Sequence, residues 1–325
     1  MREVICLGEI LIDMFCPEVG VPLERASSFV PVPGGAPANV AIGLAKLGIK
    51  SALISKVGDD PFGRLLQNVL LEHGVDTSHL KVDQEVRTTL AFISTREDGE
   101  RDFCFYRNPG ADMMLRPEEI EEDFIKGAKV FHYGSISMIS EPSYSATLCA
   151  LEYAKRHNLL ISYDPNFRPT LWDSPDRAKK RIIEGLRFCD VVKVNEEELK
   201  FITEIDDLKE GSGKILEYGP KIVVVTRGQK GSFFNNGKDS GEVEGFQVFT
   251  IDATGCGDAF TAGILAKFLE KINQKSSPLF NLAYEEMVTI LKFANAAGAL
   301  TATKRGVIPS LPPKEAVVAF LNKEG

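Results

Sequence analysis

Short apolar runs rich in β-branched residues recur along this chain. Most end at a glycine, carboxylate or amide and lead into a stretch with helical spacing. Residues 4–7, 51–57, 130–134, 159–163, 190–194 and 221–225 read as such runs. Near-continuous apolar strands are those buried on both faces, and regular strand–helix alternation builds a parallel sheet with helices on each side. The expected fold class is therefore α/β, three-layer α/β/α, with a mainly parallel central sheet. Two segments depart from the alternation. Residues 14–33 lack a long period and read as an excursion. Residues 88–94 and 101–106 are strand-like, and Asp98-Gly99 between them is a hairpin signal. A hairpin inside an α/β chain predicts a separate small sheet.

Ligands of open α/β sheets bind beyond the carboxyl ends of the strands, so the turns there carry the chemistry. The most informative is Asp252-Ala253-Thr254-Gly255-Cys256-Gly257-Asp258. Val248 to Ile251 predicts a strand before it, and Phe260, Ile264, Leu265, Phe268, Leu269 and Ile272 predict a helix after it. Gly255 and Gly257 would then sit at a helix N-terminus, where free N–H groups and the dipole favour an anion. Asp258 would be held ionised there by the same dipole. An anion cradle beside a carboxylate base suits phosphoryl transfer to a hydroxyl. A glycine turn with an acidic N-cap would look the same.

The second informative turn is Pro33-Gly34-Gly35-Ala36-Pro37-Ala38-Asn39. Two glycines permit a tight path, and Asn39 offers donors and an acceptor to a polyol or simply caps the helix. Asp13 follows the first strand. Arg168 lies just past a strand end, where it suits a phosphate or sugar contact or a surface ion pair. Asn195 and Glu198 form a capping box, which can also organise hydrated Mg²⁺. Thr226, Gly228 and Gly231 form a glycine-rich strand end suited to a nucleotide. The alanine-rich stretch 292–303 permits close approach of a ring or of another helix.

Lys and Arg number 38 against 46 Asp and Glu, a net charge of −8, and no basic run occurs. This argues against a nucleic-acid partner. The N-terminus reads as a first strand, with neither signal peptide nor membrane span. The six cysteines form no Cys-x-x-Cys, so buried thiols in a reducing cytosol are expected, and with them a cytoplasmic location.

The two turns together, in this order and separation, resemble the signature regions of ribokinase-like (PfkB family) carbohydrate kinases. The resemblance covers the whole chain as a single domain, residues 1–325. Residues 99–109, 132–137 and 162–166 are most similar to fructokinases. The resemblance implies an ATP-dependent kinase that converts D-fructose to fructose 6-phosphate. Asp258 would be the base, and Gly255, Cys256 and Gly257 the anion hole. Asp13, Gly34, Gly35 and Asn39 would bind the sugar, with Arg107 reaching it from the lid and Arg168 beside it. Asn195, Thr226, Gly228, Gly231 and Asn295 would hold ATP, and Glu198 Mg²⁺ through water. Oxygens of Asp252, Thr254, Thr301, Lys304, Gly306 and Ser310 would hold K⁺. Segments 14–33 and 88–110 would form a β lid that also serves a homodimer. Cys256 replaces the usual alanine, and Asp-Ala-Thr the commoner Asp-Thr-Thr. The lid arginine keeps 2-keto-3-deoxygluconate, an acidic sugar, open as a substrate alongside ribose. An oxidoreductase is opposed by the missing Gly-x-Gly-x-x-Gly after the first strand. A silent sugar sensor is opposed by the retained Asp258. Walker A and the protein-kinase triplets are absent.

Overall fold

A computed structural model of the chain describes residues 2–97, 101–274 and 282–324. The first half contains β1 (Val4–Leu7), β2 (Leu11–Val19), β3 (Val30–Gly34), α1 (Ala36–Lys46), β4 (Ser51–Gly58), α2 (Pro61–Glu72), β5 (Leu80–Asp83), β6 (Leu90–Thr95), β7 (Arg101–Tyr106), α3 (Glu122–Lys126), β8 (Val130–Gly134) and α4 (Ser143–Arg156). The second half contains β9 (Leu160–Asp164), α5 (Pro175–Leu186), β10 (Val191–Asn195), α6 (Glu196–Thr203), α7 (Leu208–Leu216), β11 (Ile222–Thr226), β12 (Ser232–Asn235), β13 (Ser240–Val243), α8 (Cys256–Gln274), α9 (Tyr284–Ala302), α10 (Val307–Ser310) and α11 (Lys314–Glu324).

The main sheet runs β13-β12-β11-β10-β9-β8-β1-β4-β5, parallel except where β12 and β13 add an antiparallel edge. Alternation along each strand assigns side chains to two cores. Val4, Val130, Leu160, Val191, Ile222 and Val224 face a cluster filled by α1, α8 and α9. Ile5, Phe131, Ile161, Val192, Val223 and Val225 face another, filled by α3, α4 and residues of α5 to α7. Helix α8 is wedged between its neighbours through small residues. A Cβ on Gly263 would lie 2.9 Å from the Ala294 Cα, and the Cβ of Ala262 would meet one on Gly43 at 2.9 Å. The alanine-rich stretch thus admits another helix, α8. It also begins earlier than its alanines suggest, at Tyr284.

The small sheet is β3-β2-β6-β7. β2 pairs antiparallel with β3 and parallel with β6, joining the first excursion to the second. The lid thus starts at Leu11, earlier than expected. β6 and β7 are antiparallel as a hairpin requires, while Asp98-Gly99 itself lies outside the described residues. Residues 248–251 correct a second expectation: they form no strand, Phe249 is 86% exposed, and the sheet edge is β13. No disulfide forms among the cysteines. Cys6, Cys16 and Cys189 are buried, but Cys104 is exposed, against the expectation for thiols in apolar runs. Among the described residues no helix is long and apolar enough to cross a membrane.

Candidate active site

Gly255 turns the chain into α8 at φ +80°, a conformation that favours glycine. Asp258 follows in the first turn of α8 and is only 8% exposed. Asn39 of α1 donates from Nδ2 to Asp258 Oδ2 at 2.8 Å, joining the two glycine turns 219 residues apart. The Asn39 Oδ1 is buried and has no partner in the protein.

Burial raises the Asp258 carboxyl to about 6, helped by the charge of Asp164 and opposed by Asn39, Lys193 and Arg168. This corrects the sequence expectation. Desolvation outweighs the helix dipole, so Asp258 is mostly ionised at pH 7 but poised near it, as a general base should be.

Lys193 was not singled out from the sequence. Its Nζ lies 3.0 Å from Asp164 Oδ2 and 3.1 Å from where a Cβ on Gly257 would sit. Burial works against its charge, yet Asp164 and Glu198 outweigh that and hold its pKa above the ordinary lysine value. An ammonium therefore sits behind the candidate anion hole. The signal was present in Val191-Val192-Lys193-Val194, a cation within a buried-strand pattern. Arg168 is exposed at the mouth, and its charge reaches Asp258.

On the lid side, Asp13 of β2 faces Gly34 of β3. A methyl on Gly34 would fall 2.3 Å from Asp13 Oδ2. Gly35 turns into α1 at φ +106°. Glu9, between β1 and β2, accepts the Ala36 N–H at 3.0 Å. Its other oxygen is buried without a partner, and burial raises the carboxyl to about 7.

Several expected ligands also have partners within the protein. Arg107 is buried, and its Nε and Nη2 reach Asp112 Oδ2 at 2.8 and 2.7 Å. Its guanidinium is thus matched by a protein carboxylate. Asn195 and Glu198 form the capping box, and the second Glu198 oxygen accepts the Phe167 N–H at 2.7 Å. Glu198 thereby ties α6 to the loop that bears Arg168. Asn295 donates to the carbonyls of Val243 and Glu244. Thr226 donates to Val194 O, and Gly228 and Gly231 bracket a short turn at φ +57° and +94°.

Around the expected cation site, Asp252 accepts the Thr254 N–H and hydroxyl at 3.0 and 2.6 Å and the Gly306 N–H at 3.2 Å. The Ser310 hydroxyl donates to Val307 O at 2.8 Å, Thr301 donates to Ala297 O, and Lys304 N–H binds Thr301 O. The loop is thus closed by its own hydrogen bonds.

Cys256 behaves otherwise than its place at a helix N-terminus suggests. A helix N-terminus lowers a thiol pKa, but here burial and the charges of Asp252 and Asp258 push it up to about 12. It stays protonated at neutral pH. Iodoacetamide at pH 7.5 is expected to label exposed Cys104 and leave Cys256 and activity intact, as read by peptide mass spectrometry. Fast, ATP-protected inactivation that Cys256→Ala abolishes would reverse this conclusion.

The family model described as pfkB family carbohydrate kinase matches residues 1–314. Probable fructokinase-3 of Arabidopsis thaliana is 44% identical over 323 residues, covering 99% of this chain and 92% of that protein. A fructokinase from Xylella fastidiosa with bound ATP aligns with a TM-score of 0.88 at 31% identity, covering 100% and 99% of the two chains. A fructokinase double mutant from Vibrio cholerae O395, in fructose, ADP and potassium ion bound form, aligns at 0.87 and 34% identity, covering 99% and 98%. A match of this extent, on a fold whose two glycine turns meet at one buried carboxylate, leaves a single assignment: the chain belongs to the pfkB family of carbohydrate kinases.

Proposed function

We propose that this kinase transfers the γ-phosphoryl group of ATP to the 6-hydroxyl of D-fructose. The observation that carries the reading is the Asn39–Asp258 bond at 2.8 Å, which unites the expected sugar turn and the expected phosphate turn. The fructokinase relatives and the fructose- and ATP-bound neighbours support the choice of substrates.

In this reading Asp13 and Asn39 orient the sugar, with the bare backbone of Gly34 and Gly35 allowing it close. Asp258 removes the hydroxyl proton as the oxygen attacks in line. The N–H groups at Gly255, Cys256 and Gly257 hold the transferring phosphoryl oxygens. Lys193 supplies positive charge beneath them, and Arg168 meets the phosphates at the mouth. Little covalent chemistry falls to the protein, so positioning and charge stabilisation supply the rate. Thr226, Gly228, Gly231 and Asn195 line the nucleotide side, with Asn295 bracing the segment next to it.

Among the described residues no group of three or more His, Cys, Asp or Glu side chains gathers to hold a metal. That suits Mg²⁺, which keeps waters and binds largely through substrate phosphates. Mg²⁺ would supply charge neutralisation of those phosphates, with Glu198 in contact only through water. The turn that joins Asp252, Gly306 and Ser310 gathers carboxylate and carbonyl oxygens, a donor set suited to K⁺. K⁺ there would brace the anion hole in place of some internal hydrogen bonds.

The acid alternative, 2-keto-3-deoxygluconate, needs a cation free for its carboxylate. Arg107 is already paired with Asp112, which favours a neutral sugar. The test is ADP release across fructose, ribose, 2-keto-3-deoxygluconate and nucleosides, in K⁺ and in Na⁺ at constant ionic strength. Fructose is expected to give the highest kcat/KM, with a higher rate in K⁺. A preference for the acid would overturn the substrate reading, and equal rates in both cations the K⁺ reading.

A further inference from the structure

Beneath the candidate site a vein of polar side chains enters a sheet face that is mostly apolar. His132 of β8, Ser162 and Asp164 of β9 and Lys193 of β10 all point toward α8, in register with Val4, Val130, Leu160 and Val191 on the same face. None is more than 9% exposed. His132 Nδ1 lies 3.1 Å from Ser162 Oγ. Asp164 Oδ2 accepts from Lys193 Nζ at 3.0 Å and from the Thr261 hydroxyl of α8 at 3.3 Å. The buried ion pair therefore spans from the sheet to the helix that carries Asp258, with its ammonium under Gly257.

We infer that Asp164 is a positioning residue: it holds the Lys193 ammonium beneath the Gly257 turn and keeps it from closing on Asp258. The inference rests on the reading of Asp258 as the base. Lys193 feels three carboxylates, those of Asp164, Glu198 and Asp258. The two oxygens of Glu198 are already engaged by the Asn195 and Phe167 N–H groups. If Asp164 lost its charge, Asp258 would be the remaining strong attractor. A salt-bridged Asp258 would be a weaker base, and the ammonium would leave the phosphate turn.

The charged and polar groups around Asp258 come from each element packed on it. They are Asn39 of α1, Asp164 of β9, Arg168 of the following loop, Lys193 of β10 and the Cys256 thiol of α8 itself. His132 and Glu198 act one step out, through Asp164 and Lys193. In this set Asp164 raises the Asp258 pKa, while Lys193 lowers it. Removing each should thus move the base in opposite directions.

The experiment compares kcat/KM from pH 5 to 8.5 for the wild type, Asp164→Asn, Lys193→Met and Asp258→Asn. Asp258 ionisation is followed in parallel by carboxyl ¹³C NMR of the ligand-free protein, assigned with Asp258→Asn. The wild-type acid limb is expected at about 6. Asp164→Asn should move it down by about one unit and Lys193→Met up by about one unit, the scale of a neighbouring charge. Asp164→Asn should also lose turnover at pH 8 by about 10²-fold, as misplaced positioning groups do. Loosened packing alone would hydrate Asp258 and lower the limb in both variants, so parallel shifts with an inactive Asp258→Asn overturn the inference and leave the base reading standing. An active Asp258→Asn with an unchanged limb overturns the base reading and the inference with it. Should Lys193→Met not fold, Lys193→Gln takes its place in the same comparison: opposite shifts support the inference, and parallel shifts overturn it.

Discussion

Asp258→Asn is expected to lose turnover by about 10²–10⁴-fold, the usual contribution of a general base, and yet to fold more stably than the wild type at pH 8. The amide oxygen can still accept the Asn39 hydrogen bond, so the link between α1 and α8 survives. What disappears is the cost of an ionised, buried carboxylate. The folded-state carboxyl is raised from 3.8 to about 6, so the folded protein binds this proton more tightly than the unfolded chain. Stability is therefore withdrawn as pH rises from 3.8 toward 6, and the loss is complete above that. A shift of about two units corresponds to roughly 3 kcal/mol. Thermal melts at pH 8 should show the variant above the wild type, with the difference vanishing near pH 4. Near-normal turnover in the variant would remove Asp258 from the mechanism.

The main sheet was legible because its strands are apolar on both faces, and the runs at 4–7 and 130–134 coincide with β1 and β8. Both glycine turns were legible because glycine and small residues beside a carboxylate or amide mark a turn into a helix. The parallel partnership of β2 with β6 was not, because it joins strands separated by α1, β4 and α2 and leaves no local trace. Residues 248–251 have β propensity but no neighbouring strand, and propensity without a partner makes no sheet. Arg107 shows a similar limit. A cation near a lid reads as a ligand group, and only the fold shows Asp112 folded back against it. Asp258 was singled out as the candidate base but its proton affinity was not legible, since burial and the Asp164 charge come from elements distant in sequence. Lys193 was visible as an anomaly in an apolar strand, and only the fold shows that it lies under Gly257.

Gly34→Ala is expected to weaken sugar binding by about 10²-fold while sparing ATP affinity. Gly34 ends β3 directly opposite Leu11 of β2, and its backbone has no positive φ. Alanine is therefore acceptable to the main chain, and the damage comes from the methyl itself. It would sit 2.3 Å from Asp13 Oδ2 and 3.1 Å from the carboxyl carbon, so the carboxylate must swing away. Hydrogen bonds to a charged acceptor contribute about 1.5–3 kcal/mol each, and losing one or two of them gives the stated loss. Gly35 would be a poorer probe: at φ +106°, with Glu9 O 2.5 Å from an added Cβ, its substitution strains the fold. The decisive comparison is a double-mutant cycle read by calorimetry with fructose and with ATP. If the methyl acts through Asp13, adding Gly34→Ala to Asp13→Ala should cost little more, since two changes on one contact do not add. Full additivity, or an equal loss of ATP affinity, would show that Gly34 acts on the turn as a whole and that Asp13 is not what it keeps in place.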